Sequence, residues 1–223
     1  MLAAAPSLLA DIEASMAATH QAAAAADVNN TRCWPYVAGR TQCAELKTQS
    51  SDRDSEPWRT YAEMAWSGIS LQHGSWLEDM IAWNREYAKS MKGGMLSGTG
   101  SDASGNNLMT FTGIGWGYGL LLADDIPTFI LQLFTAAAHA NTRGTWTAPE
   151  EADIGGGAMP YASSSQLLMP VNLRWALLWE HPHTGDLWLA RATPRAWLSE
   201  GERISISGAP SSHGRVSYTL SSE

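Results

Sequence analysis

Positive charge is scarce in this sequence. Fourteen Lys and Arg face 22 Asp and Glu, so the 223 residues carry a formal charge of −8. The cations are scattered, and an acidic chain without a basic patch repels a phosphate backbone, which excludes nucleic acid as an expected partner. Cysteine is nearly missing too. Cys33 and Cys43 stand in a stretch with Pro35 and Gly39. A disulfide and two free thiols are both open there, and two cysteines leave the redox compartment unset.

Long apolar runs are absent: none reaches ~18 residues, so no membrane span is expected. The opening stretch has no basic segment and carries Asp11 and Glu13. That is unlike a signal peptide, so the chain as written is expected to be soluble and to carry no export signal. Several catalytic signatures are lacking as well. There is no G-x-S-x-G nucleophile elbow and no H-E-x-x-H zinc helix. Gly113, Gly115, Gly117 and Gly119 alternate without the Lys and spacing of a phosphate loop. His181 and His183 lie two apart but lack a third ligand, which reads as a plain loop, and His139 reads as a helix-end residue. No cofactor or metal is expected.

What the chain does have is tryptophan, 11 against three Phe. Indoles fill cores, and they also line sugar-binding grooves, where their faces pack on the C–H faces of pyranose rings.

Apolar spacing predicts five helices. The first runs from Ser7 to about Ala26 through Leu8, Leu9, Ile12 and Met16. Pro57 opens a second, with Trp58, Tyr61, Ala65 and Ile69 on one face. Ser75 and Glu78 form a capping box for a third, which Gly93 and Gly94 stop. The short turn at 70–74 pairs these two as an antiparallel hairpin. The Gly- and Ser-rich stretch from Gly93 to Gly119 reads as a long surface loop. Asp125 caps a fourth helix, with Pro127 in its first turn and Phe129, Ile130, Leu133, Phe134 and Ala137 facing inward. After a second polar loop, a fifth helix begins at Gln166 and buries Leu167, Leu168, Val171, Trp175, Leu178 and Trp179. Beyond His183 the period drops to two. Leu187/Leu189, Ile204/Ile206 and Val216/Tyr218/Leu220 then predict a three-stranded meander. The expected architecture is mainly α, a helical hairpin domain over 1–183 followed by a β-meander over 184–223.

The C-terminal stretch "LWLARATPRAWLSEGERISISGAPSSHGRVSYTL" carries a resemblance. Leu187, Leu189, Ala190, Ala192, Pro194, Arg195, Trp197, Leu198, Gly201 and Ile204 match the ending of bacterial six-hairpin glycosidase-like proteins, in which strands follow an (α/α)6 toroid. "TRGTWTAPEEADI" (142–154) resembles their acidic loop, and "SSSQLLMPVNLRWALLWEH" their last long helix. The resemblance runs from about Asp125 to the end. It implies paired helices that form part of a toroid, a saccharide substrate, and carboxylate acid/base chemistry. Five helices fall short of six hairpins, so the chain is expected to be the C-terminal part of such a protein, with a missing N-terminal half as its partner.

Glycoside hydrolysis needs two carboxyl groups, roughly 5 Å apart for retention or roughly 6.5–9.5 Å apart for inversion. The candidates are Glu150 and Glu151 in the acidic loop, and Asp124. Asp125 reads as a helix cap instead. Trp116, Tyr118 and Trp146 are the expected saccharide contacts. A non-catalytic carbohydrate-binding module and an inactive fragment are the alternatives.

Overall fold

The computed structural model describes residues 5–26, 74–82, 85, 91–92, 95–96, 108–152 and 161–222. The Pro57 helix, Cys33 and Cys43 lie outside them. Within them the chain is mainly α, with antiparallel strands gathered toward the C-terminus.

Helix α1 spans Ala5–Ala26, in line with its alanine-rich sequence. It buries Thr19 and Ala23, and His20 Nε2 lies 3.2 Å from Asp79 Oδ2 of helix α2 (Gly74–Ala82). Trp76 of α2 packs beside the same imidazole, with ring centroids 5.9 Å apart. Two short strands follow, β1 (Met91–Lys92) paired with β2 (Met95–Leu96). Strand β3 (Leu108–Met109) pairs antiparallel with β4 (Glu151–Ala152).

The stretch expected as one long loop is a helix over its last part. Helix α3 covers Gly113–Leu122, and Trp116, Leu120 and Leu121 on it are buried. Two of its glycines, Gly113 and Gly117, are there for close packing. A Cβ on Gly117 would sit 2.8 Å from Asn172 Oδ1 and 2.9 Å from Gln132 Nε2, distances that Cβ atoms do not tolerate. One added on Gly113 would meet the Leu168 methyls at 2.7 and 3.2 Å. Helical propensity is poor at glycine, and tertiary contact overrides it here.

Helix α3 ends in a Schellman turn. Asp124 takes φ +57°, its N–H bonds to Leu121 O at 3.1 Å, and the Asp125 N–H reaches back to Leu120 O at 2.8 Å. Asp125 then caps helix α4 (Ile126–Thr135): the Thr128 N–H donates to its carboxylate at 3.3 Å, and Pro127 follows in the first turn. A π-helical turn, Ala136–Ala140, prolongs α4. The inward face is Phe129, Leu133 and Ala136, whereas Phe134, expected inside, is 46% exposed. Phe134 lies against Trp197 instead.

A short helix, α5 (Ser163–Gln166), leads into α6 (Leu168–Leu177). Leu168 is buried and Leu167 is exposed, the reverse of the expected facing for Leu167. Leu178 and Trp179 are buried, yet they leave the helix and enter strand β5 (Leu178–Glu180), which pairs with β6 (Leu187–Leu189). The expected three-stranded meander is therefore two separate hairpins, and the β region starts before position 184. The second hairpin joins β7 (Arg203–Ser211) to β8 (Gly214–Ser221). Its apolar residues face each other as Ile204–Leu220, Ile206–Tyr218 and Ala209–Val216, with a bulge where Gly208 adopts φ +62°.

The core sits where α2, α3, α4 and α6 meet β5. Leu77, Ile81, Trp116, Leu120, Leu121, Phe129, Leu133, Ala176 and Trp179 form one buried cluster. Tyr118 stands edge-on to Trp175 and Trp179, with centroids 5.4 and 4.8 Å away. Such geometry suits the aromatic quadrupole.

Candidate functional site

Of the seven described tryptophans, six are buried or half-buried and one is displayed. Trp146 is 58% exposed. It sits in the six-residue loop 142–147, which follows the π-helical turn and closes on itself. The Thr142 N–H donates to Thr147 O at 2.8 Å, and the Trp146 N–H donates to Thr142 O at 2.9 Å. Three hydroxyls tie the base of the loop: Thr142 Oγ1 lies 2.6 Å from Thr145 Oγ1 and 2.5 Å from Thr147 Oγ1. Trp146 itself takes φ +54°. A bulky side chain in the left-handed region is a strained choice, and such strain persists where the surroundings over-determine it.

The next residues are held from two sides. Ala148 O accepts from Ala162 N–H and from Gln166 Nε2, each at 3.0 Å. Glu150 O accepts from Thr110 N–H at 3.2 Å and lies 2.7 Å from Thr110 Oγ1, which is itself 2.7 Å from Ser165 Oγ. Thr110 and Ser165 are buried. The backbone carrying Glu150 is thus fixed between the start of α5 and the segment before α3. Glu150 is half-buried, and the Glu151 backbone pairs with Met109. Tyr161, also 58% exposed, adjoins Ala162 on the other side of the Ala148 contact.

The other expected site residues lie elsewhere. Trp116 has no exposed surface and packs in the core, so it cannot line a saccharide groove. Tyr118 is half-buried between Trp175 and Trp179, and burial pushes its hydroxyl above the ordinary tyrosine value. Asp124 sits at the C-terminal end of α3, whereas Glu150 is bonded to Thr110 just before its N-terminal end. Ten helical residues set those two backbone positions about 15 Å apart along the helix axis.

Asp124 has a structural partner. Arg191 pairs with its carboxylate and stacks over Trp188, 4.2 Å from the ring centroid. Asp125 is likewise paired with Arg85, which also donates to Thr128 Oγ1 at 2.9 Å. The two adjacent aspartates fasten two distant parts of the chain to the α3–α4 corner.

His181 and His183 have ring centroids 5.7 Å apart, and His181 packs on Trp188. Among the described residues no group of three or more His, Cys, Asp or Glu is arranged to hold a metal ion. No helix among them is long and apolar enough to cross a membrane. Comparison with protein-family models, with curated proteins and with solved structures gave no match to this chain.

Sequence reasoning named Trp146 and Glu150 but passed over Tyr161 and the threonines. The three threonines in "TRGTWT" were the available signal, because hydroxyls spaced this closely around a loop tip can bond one another.

Proposed function

We propose that this chain is a carbohydrate-active protein whose saccharide contact is the loop bearing Trp146. The observation that carries this reading is Trp146 itself. It is an exposed indole on a loop tied by three hydroxyls, held at a backbone angle that a bulky residue does not adopt without constraint. A rigid aromatic face loses little conformational entropy on contact with a ligand, and its C–H-rich partner is a pyranose ring. The acidic neighbours supply hydrogen-bond acceptors for sugar hydroxyls.

Hydrolysis is the second reading. The fixed backbone at Glu150, four residues after Trp146, supports it, and so does the sequence resemblance to six-hairpin glycosidase-like proteins. In that reading Glu150 or Glu151 is one acid/base group, and Asp124, whose carboxylate pairs with Arg191, is the candidate for the other. The paired helices then belong to an (α/α) ring completed by further hairpins.

A panel of oligosaccharides and aryl glycosides separates the two. Binding that is lost in Trp146→Ala, with no reducing sugar released, supports a binding module. Release that is abolished in Glu150→Gln with binding retained supports a hydrolase. If no saccharide in the panel binds the intact chain, both readings fall.

A further inference from the structure

Tyr161 matches Trp146 in exposure at 58%. It is placed by the same contact that orders the Trp146 loop. The Ala162 N–H donates to Ala148 O at 3.0 Å, so Tyr161 and Trp146 lie one and two residues from the two ends of a single backbone hydrogen bond. Steps of 3.8 Å between successive Cα atoms, added to the spacing of hydrogen-bonded backbones, put their Cα atoms no more than about 17 Å apart. The contact between them is a braced one, because Gln166 Nε2 donates to the same Ala148 carbonyl at 3.0 Å and Ala148 itself is buried. Neither ring takes part in the core cluster, whose aromatic members are Trp116, Phe129 and Trp179 with half-buried neighbours.

We infer that Tyr161 is a second contact ring and that the site takes a chain of linked sugars rather than a single sugar. Two exposed rings on one braced support, no more than about 17 Å apart, engage different units of one linked ligand, so that the second contact forms at a high effective concentration. This rests on the saccharide reading of Trp146. It adds what that reading leaves open, namely that affinity depends on chain length and that Tyr161 is a specificity-determining residue.

Calorimetric titration of the intact chain tests it, with β-1,4- and α-1,4-linked glucose and xylose oligomers of one to six units as probes. For whichever series binds, affinity should climb with length to a plateau. Tyr161→Ala should lower the affinity of the longest oligomer by about tenfold and leave that of the shortest binding oligomer unchanged. Tyr161→Phe keeps the ring and should restore the length dependence. An unchanged thermal midpoint in Tyr161→Ala shows that the fold is intact. Equal affinity for monomer and hexamer overturns the inference while sparing the Trp146 reading, and so does a Tyr161→Ala titration identical to wild type at every length. Loss of nothing in Trp146→Ala overturns the underlying reading itself, and absence of binding by every probe overturns both.

Discussion

Gly117 and Gly113 look interchangeable in the sequence, but their neighbours differ in kind. The would-be Cβ of Gly117 faces two amides, Asn172 and Gln132, that are themselves fully buried. Gln132 is held in place because its Nε2 donates to Gly113 O at 2.7 Å. The would-be Cβ of Gly113 faces the end of a leucine side chain, which can turn aside. Alanine at either position gains about 1 kcal/mol of helix propensity. At Gly117 that gain is overtaken by overpacking of about 1–3 kcal/mol. Gly117→Ala should therefore lower the thermal midpoint clearly more than Gly113→Ala, and equal midpoints would show that the two amides are free to move.

Trp146 offers the opposite experiment. Glycine adopts φ +54° without strain, so Trp146→Gly should leave stability unchanged or raise it by up to ~1 kcal/mol while abolishing saccharide binding. A variant that loses stability would mean that the exposed indole is packing on its surroundings.

The β7–β8 hairpin has no fully buried residue, and a few polar contacts fasten it to the helices and to β5. The Tyr218 hydroxyl donates to Leu177 O, at the end of α6, over 2.6 Å. The Ser212 N–H donates to the Glu180 carboxylate at 3.1 and 3.3 Å, and His213 Nε2 lies 2.7 Å from Gly185 O. Arg174 also bonds to Pro210 O. Removing one hydroxyl, Tyr218→Phe, leaves Leu177 O with its bond from the Ala190 N–H. It should destabilise the protein by about 1 kcal/mol, and it should raise hydrogen exchange in the hairpin before it affects the helices.

Hydrogen bonding from Ser212 outweighs the opposing effect of burial and, with smaller help from His213 and Arg174, holds the Glu180 carboxyl below its ordinary value of 4.5. A lowered folded-state value means that the clamp is complete above about pH 4.5 and is lost as pH falls through that lower value. Protection of the β7–β8 amides, measured relative to their intrinsic exchange rates, should accordingly fall as the pH drops below 4.5, and Glu180→Gln should remove that loss of protection.

The elements also show what was legible beforehand. Asp125, Pro127 and the i, i+4 apolar pattern located α4 and its cap, though not the outward facing of Phe134, because capping and periodicity are local. The alternation of Ile204, Ile206, Val216, Tyr218 and Leu220 likewise located β7 and β8. Helix α3 was not legible, because its glycines are chosen for partners 15 to 55 residues away in Gln132, Leu168 and Asn172. The break between Leu177 and Leu178 was hidden for a related reason: Leu178 and Trp179 are buried in either conformation, and the strand follows from pairing with Trp188 and Leu189.

At the scale of the whole molecule, most of the described indoles are structural. Trp116 and Trp179 anchor the core, Trp188 supports Arg191, and Trp175 flanks Tyr118. Composition alone did not separate these from Trp146, since abundance says nothing about which rings face solvent. The acidic candidates divide in the same way. Asp124 and Asp125 fasten the α3–α4 corner to Arg191 and Arg85, while Glu150 sits beside the loop that displays an aromatic face.

Indole N–H resonances give the most direct test, because each of the 11 tryptophans gives its own signal. With each peak assigned by single substitution, a saturating oligosaccharide should shift the Trp146 peak and leave those of Trp116 and Trp179 in place. A saccharide that binds without moving the Trp146 peak, or that moves the core indoles instead, would contradict the account.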